Sequence, residues 1–138
     1  MSGLPDDARI ESAEVVLTGA QRVYLDSVPT MRLQAMTLLD SGCGRDLARA
    51  STYASLAQAP ALAPLTPLFA PSEVGVGVTN TFRFTDVGLA QLQARLSSTN
   101  RVSLRISAND PNAGYRSIFD WNSGNAVAGK PILRIAYR

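Results

Sequence analysis

The stretch "YRSIFDWNSGNAVAGKPILRIAYR" at residues 115–138 holds the only tryptophan, Trp121, and the only lysine, Lys130. In "FDWNSGN" Trp121 stands among turn formers, with Asn122 beside it. There an amphipathic ring can stack on the face of a sugar, or it can pack over the end of the fold and close the core. Tyr115 and Arg116 begin the preceding strand-like run, and alternation puts them on opposite faces. Phe119 shares the parity of Tyr115 and reads as core-facing, which places Tyr115 inside and Arg116 outside. An outward guanidinium fits a carboxylate or sulfate bidentately; the same residue also serves as plain solvated charge. Trp121, Arg116, Tyr115 and Asn122 are therefore the ligand-binding candidates.

Two loops, "NDPNAG" and "DWNSGN", carry Asn109, Asp110, Asn112, Asp120 and Asn122. Hard oxygen donors in loops are what calcium requires. A five-residue strand between the loops separates them by about 17 Å, so one ion cannot use both. That leaves Asp110 and Asn112 as a calcium candidate within one loop, against the reading that Asn and Asp are there to make turns. No other cofactor is suggested. The chain has no histidine, which removes the commonest general base near neutral pH and the commonest metal ligand. Cys43 stands alone, without a disulfide or zinc partner. Glu73, Asp86, Asp110 and Asp120 show none of the paired spacing that glycoside hydrolysis uses, and the serines have no base. A non-enzymatic protein is expected.

With 138 residues, of which 46% are hydrophobic and 17% charged, the chain can bury one core and is too short for two, so a single domain over residues 1–138 is expected. Thirteen Lys and Arg face eleven Asp and Glu, scattered singly. No basic stripe follows a nucleic-acid backbone. There is no run of about 18 apolar residues to span a membrane, and "MSGLPDDARIE" lacks the basic and apolar regions of a secretion signal.

Short alternating runs dominate the chain. In "ARIESAEVVLTG", Ala13, Val15 and Leu17 share one face, and "RVYLDSV" and "MRLQAMTLL" repeat the pattern. Residues 41–72 hold four of the eight prolines, Pro60, Pro64, Pro67 and Pro71. Each removes a ladder donor, so a long Pro/Ala-rich loop is expected. Its Leu62, Leu65, Leu68 and Phe69 are too apolar for a free linker and should lie down on the fold. In "VGVGVTNTFRFT", Val74, Val76, Val78, Asn80, Phe82 and Phe84 alternate over eleven positions as one strand. "TDVGLAQLQARLSS" offers Thr85 or Asp86 as an N-cap and Leu89, Leu92 and Leu96 at helical spacing, a short helix over about 86–97. "RVSLRISA", "YRSIF" and "PILRIAY" complete the strands. The pattern predicts an all-β protein, an antiparallel jelly-roll-like β-sandwich with one helix.

The order "LPDDARIESAEVVL", "FRFTDVGLAQLQARL", "NRVSLRISANDPNAGYRSIFDWNSG", "KPILRIAY" resembles the bacterial and archaeal extracellular modules called DNRLRE domains, grouped with carbohydrate-binding module family 96. Ala8, Ile10, Ser12, Ala13, Val15 and Leu17 fall on their "LPxGAxIxSAxLxL" strand. Thr85, Val87 and Leu96 match their "VTxxVQxWL" segment, with Ala94 or Arg95 where a Trp is common. Leu104, Arg105, Phe119, Ser123, Pro131, Leu133 and Tyr137 follow the pattern of their ending. The resemblance covers both ends of the chain and little of the middle, and it lies in apolar and turn positions. It implies an extracellular or cell-surface location and a role either in binding polysaccharide, acidic glycans such as alginate among them, or as a structural or assembly module of a surface layer, fibre or appendage. Such modules usually carry a further strand region before the "LPxGAxIxSA" segment, where this sequence has only "MSG". Either that region belongs to a longer parent protein, or a sheet edge is open to a strand from another chain or from an upstream segment; pairing with a second copy, a homo-oligomer, is one form this takes.

Overall fold

A computed structural model describes residues 4–5, 7–23, 31–36, 61–96, 103–108 and 118–138. Its organising element is β1 (Ile10–Val23), in which Ala13, Val15 and Leu17 are buried at alternate positions and Val16 is buried as well. On one side β1 pairs antiparallel with β4 (Thr79–Arg83), in the register Val15 to Phe82. On the other side it pairs with β7 (Ile132–Tyr137) through its first half and with β6 (Ile118–Trp121) through its second. Backbone bonds mark the two sides. The Phe84 N–H donates to Ala13 O (3.0 Å) and Gly19 N–H to Val78 O (3.0 Å) along the β4 side, while Asn122 N–H donates to Thr18 O (2.8 Å) along the other.

The inward row of β1 is Ala13, Val15 and Leu17, as the alternation predicts, and it joins Leu65, Phe82, Phe84 and Leu92 in the buried core. Phe82, Leu65 and Leu92 are the largest fully buried side chains. A second antiparallel sheet has the order β3 (Ala61–Pro64), β2 (Met31–Met36), β5 (Ser103–Ala108). Leu104 of β5 packs against the core of the first sheet. The helix α1 (Asp86–Leu96) lies against β1 and β3. The Gly88 N–H donates to Thr85 Oγ1 (3.3 Å), so Thr85 is its cap. Asp86 in the first turn and Arg95 in the last suit the helix dipole. Leu92 is buried and Leu89 half-buried against the core. The described chain is thus antiparallel β-sheet with one helix, an all-β protein.

Two expectations need correction. Residues 61–64 of the stretch read as a loop form β3, at the end of its sheet, and Pro71–Glu73 forms a 3-10 turn. An edge position loses little from a missing ladder donor, which is why Pro64 is tolerated there. The chain then crosses to the first sheet, where Thr66 and Arg83 exchange backbone bonds and Leu65 enters the core. Phe69 does lie down as expected, its ring 4.9 Å from that of Phe82 and edge-on to it, whereas Leu68 is 47% exposed. Residues 41–60 fall outside the described set.

The strand read over 74–84 is interrupted, and β4 begins only at Thr79. Gly77 adopts φ 76°, a left-handed conformation that ends regular extension, and Val78 N–H turns back to Gly75 O (3.1 Å). Val76 and Val78 are exposed in consequence. The run "ARIESAEVVLTG" and the start of "RVYLDSV" form one strand, because β1 continues past Gly19 by absorbing a bulge between Gly19 and Gln21.

Candidate functional site

Of the residues singled out by sequence, Tyr115, Arg116, Asp110 and Asn112 lie outside the described residues. Trp121 is the last residue of β6 and pairs with Gly19, so it belongs to a strand and not to the loop after it. Its ring meets Phe82 edge-on at 5.8 Å and is half-buried against the core. This is a packing role, worth on the order of 1 kcal/mol beyond burial for an aromatic pair. Asn122 also has structural work. Its backbone N–H holds Thr18 O, and its Nδ2 donates to Ala128 O (3.2 Å), tying the loop 122–131 across its base. Within that loop Asn125 N–H donates to Ser123 Oγ (3.3 Å) and Ala126 N–H to Ser123 O (3.0 Å). The "NSGN" residues therefore act here as turn formers. Among the described residues no group of three or more His, Cys, Asp or Glu stands close enough to hold a metal ion, and no helix is long and apolar enough to cross a membrane.

A different constellation emerges on the outer face of the first sheet. The registers place Arg83 of β4 and Arg134 of β7 on either side of Glu14 of β1. Arg134 Nη1 donates to Glu14 Oε1 at 2.9 Å, and Arg83 Nε stands 3.8 Å from Oε2. The second distance is too long for a hydrogen bond, and the Arg83 side chain is 67% exposed. One carboxylate thus sits between two guanidinium groups that keep exposed N–H donors. A depression of about 440 Å³ lies here, bordered by Ser12, Glu14, Arg83 and Arg134. Exposed ion pairs contribute roughly 0–1 kcal/mol, so this row adds little to stability. Its chemistry is that of an anion acceptor: two planar forks beside a groove, suited to a carboxylate or sulfate.

A larger depression, about 540 Å³, opens between the start of β1 and α1. Its floor is a clamp: Gln93 Nε2 donates to Ala8 O (3.0 Å) and Ile10 N–H donates to Gln93 Oε1 (2.8 Å). Because the amide is used at both ends to hold the entering chain, this depression reads as a fold joint.

The sequence reading overlooked Arg83, Glu14 and Arg134. A signal was present: each is a charged residue at outward parity between apolar residues, as in "FRF" and "LRI". What parity alone does not contain is the register that sets three strands side by side. No family model, curated protein or solved structure matches the chain.

Proposed function

We propose that the chain is a non-catalytic, extracellular or cell-surface module whose two sheets close as a jelly-roll-like β-sandwich and which binds acidic polysaccharide. The observation that carries the reading is the exposed Arg83, Glu14, Arg134 row beside its groove. Contact of Leu104 with the core of the first sheet supports the sandwich, and the resemblance to carbohydrate-binding modules supports the ligand class. The central Glu14 neutralises part of the charge and spaces the two forks, so a chain of acidic sugars would meet Arg83 and Arg134 through separate carboxylates. Affinity electrophoresis through gels containing alginate, pectate or a neutral glucan tests this. Retardation is expected on the acidic gels, falling as salt is raised. Replacing Arg83 and Arg134 by Ala should weaken it by about tenfold per arginine, the equivalent of roughly 1.4 kcal/mol each. Free migration on every acidic gel, or unchanged retardation of the double variant, would refute the proposal.

A second reading, a structural or assembly module completed by a strand from another chain, is favoured by one specific observation. The edge of β7 away from β1 has no pairing partner among the described residues. Unpaired sheet edges are templates for strand addition.

A further inference from the structure

We propose that β7 is a self-complementary edge, and that two copies of the chain join antiparallel along it about a twofold axis at Ile135. The inference rests on the assembly reading and names the partner. In an antiparallel ladder both backbone groups of a residue point to the same side, and the side alternates along the strand. On β1, Ala13 and Gly19 direct theirs toward β4, so Ser12, Glu14 and Val16 direct theirs toward β7. Their partners Ala136, Arg134 and Ile132 point back at β1. Leu133, Ile135 and Tyr137 therefore present their N–H and C=O groups on the free side.

The side chains of the same three residues occupy the face that carries the core. Leu133 lies opposite Val15 and Ile135 opposite Ala13. Yet Leu133 is 37% and Tyr137 45% exposed, and only Ile135 is packed against the core. Among the described residues the strand thus has backbone without a pairing partner and incompletely covered apolar side chains together. It also lacks the devices that blunt edges, since the one charge within it, Arg134, is on the outer face and paired to Glu14.

Charge and backbone chemistry select the register. With the axis at Ile135, Leu133 faces Tyr137 of the second copy, so every free N–H and C=O of the three residues finds a partner, and Arg134 faces Ala136. An axis at Arg134 would set the two Arg134 side chains directly opposite each other. An axis at Ala136 would oppose Arg134 and Arg138. An axis at Leu133 would place Ile135 against Pro131, which has no N–H to give. Like charges opposite one another destabilise a strand pair, so only the Ile135 register satisfies both conditions. The pairing is isologous and closes at two copies, and the Leu133 and Tyr137 side chains cover one another across the joint.

Sedimentation equilibrium over a wide protein concentration range tests the proposal. A monomer–dimer equilibrium is expected for the unaltered chain. Leu133→Pro removes an N–H only from the free side and should shift the equilibrium to monomer while leaving the β1 pairing intact. Should that variant not fold, Ala136→Glu and Ala136→Arg at the exposed outer face decide the matter. Opposite Arg134 of the second copy, Glu should tighten the dimer about tenfold and Arg should loosen it by a similar factor. A chain that is monomeric at every concentration overturns this proposal and the assembly reading together. A dimer that survives Leu133→Pro, or that responds identically to Glu and Arg at 136, overturns the β7 joint and leaves the broader assembly reading standing.

Discussion

Single residues in this protein are placed by the space their neighbours leave, and Gly129 shows it best. It adopts φ 65°, and a Cβ there would stand 2.7 Å from Asn122 Nδ2 and 3.0 Å from Thr18 Cβ. Gly77 has a similar φ of 76° but nothing within 4 Å of the same position. Both pay the left-handed penalty of roughly 1–2 kcal/mol when replaced by Ala, while only Gly129→Ala must also displace Asn122 from Ala128 O or push Thr18 aside. Chemical denaturation should therefore find Gly129→Ala less stable than Gly77→Ala by about 1 kcal/mol or more, the usual scale of a lost hydrogen bond. Equal losses would mean that the loop 122–131 gives way freely. Asn122 appears in the sequence as a ligand candidate because Asn suits both recognition and turns. Its bond to Ala128 O and the close approach of Gly129 give it a part in the turn.

At the scale of elements, α1 is the part read most directly from sequence. Leu89 and Leu92 at helical spacing, a Thr before the first turn and charges of the right sign at each end are all local features, and the helix forms over 86–96. Gly88 inside it is tolerated because Phe84 lies against its backbone, with the nearest ring carbon only 3.2 Å from where a Cβ would project. Replacing Thr85 by Ala removes the cap and should cost about 1 kcal/mol. Amide exchange should show the loss concentrated in the first turn, at Val87 and Gly88, with Leu92 protected as before; uniform loss along the helix would argue that the cap matters through tertiary packing instead. Strand boundaries were less accessible. The period-two pattern of 74–84 continues straight through Gly75 and Gly77, and only the turn at Gly77 shows that alternation there is not pairing. Gly19, by contrast, sits inside a continuous β1.

For the whole molecule, the decisive feature is that one core draws on several elements. Ala13, Val15 and Leu17 of β1, Phe82 of β4, Leu65 after β3, Leu92 of α1 and, at its margin, Leu104 of β5 pack together. Elements sharing a core should unfold together. Leu104→Ala should lower stability by about 2 kcal/mol, at the low end for such a truncation because the site is only partly buried. Fluorescence of Trp121, on the first sheet, and far-ultraviolet circular dichroism should report the same lowered midpoint. A transition in which the circular dichroism signal falls first, with Trp121 unaffected, would show that the second sheet unfolds on its own. The same scale governs the functional proposals. The Arg83, Glu14, Arg134 row exists only because three strands from distant parts of the chain lie in register, and the proposed joint rests on β7 having β1 as its one neighbour among the described residues.

Local rules were enough to say that the described residues are antiparallel strands with one helix, that Ala13, Val15 and Leu17 share one face, that the helix begins at Thr85 or Asp86, and that Leu65 and Phe69 lie on the core. Each follows from the period of a side-chain pattern or from backbone chemistry within a few residues. Folding in three dimensions was needed to show that Trp121 packs on Phe82, that residues 61–64 form a strand, that Glu14 lies between Arg83 and Arg134, and that β7 has β1 as its one neighbour among the described residues. These depend on which strands pair and in what register. Neighbours in a sheet can be far apart in sequence, here 120 positions for Glu14 and Arg134, and no local period encodes that choice. It is settled by how the apolar faces close over one another and by which backbone groups then remain unpaired.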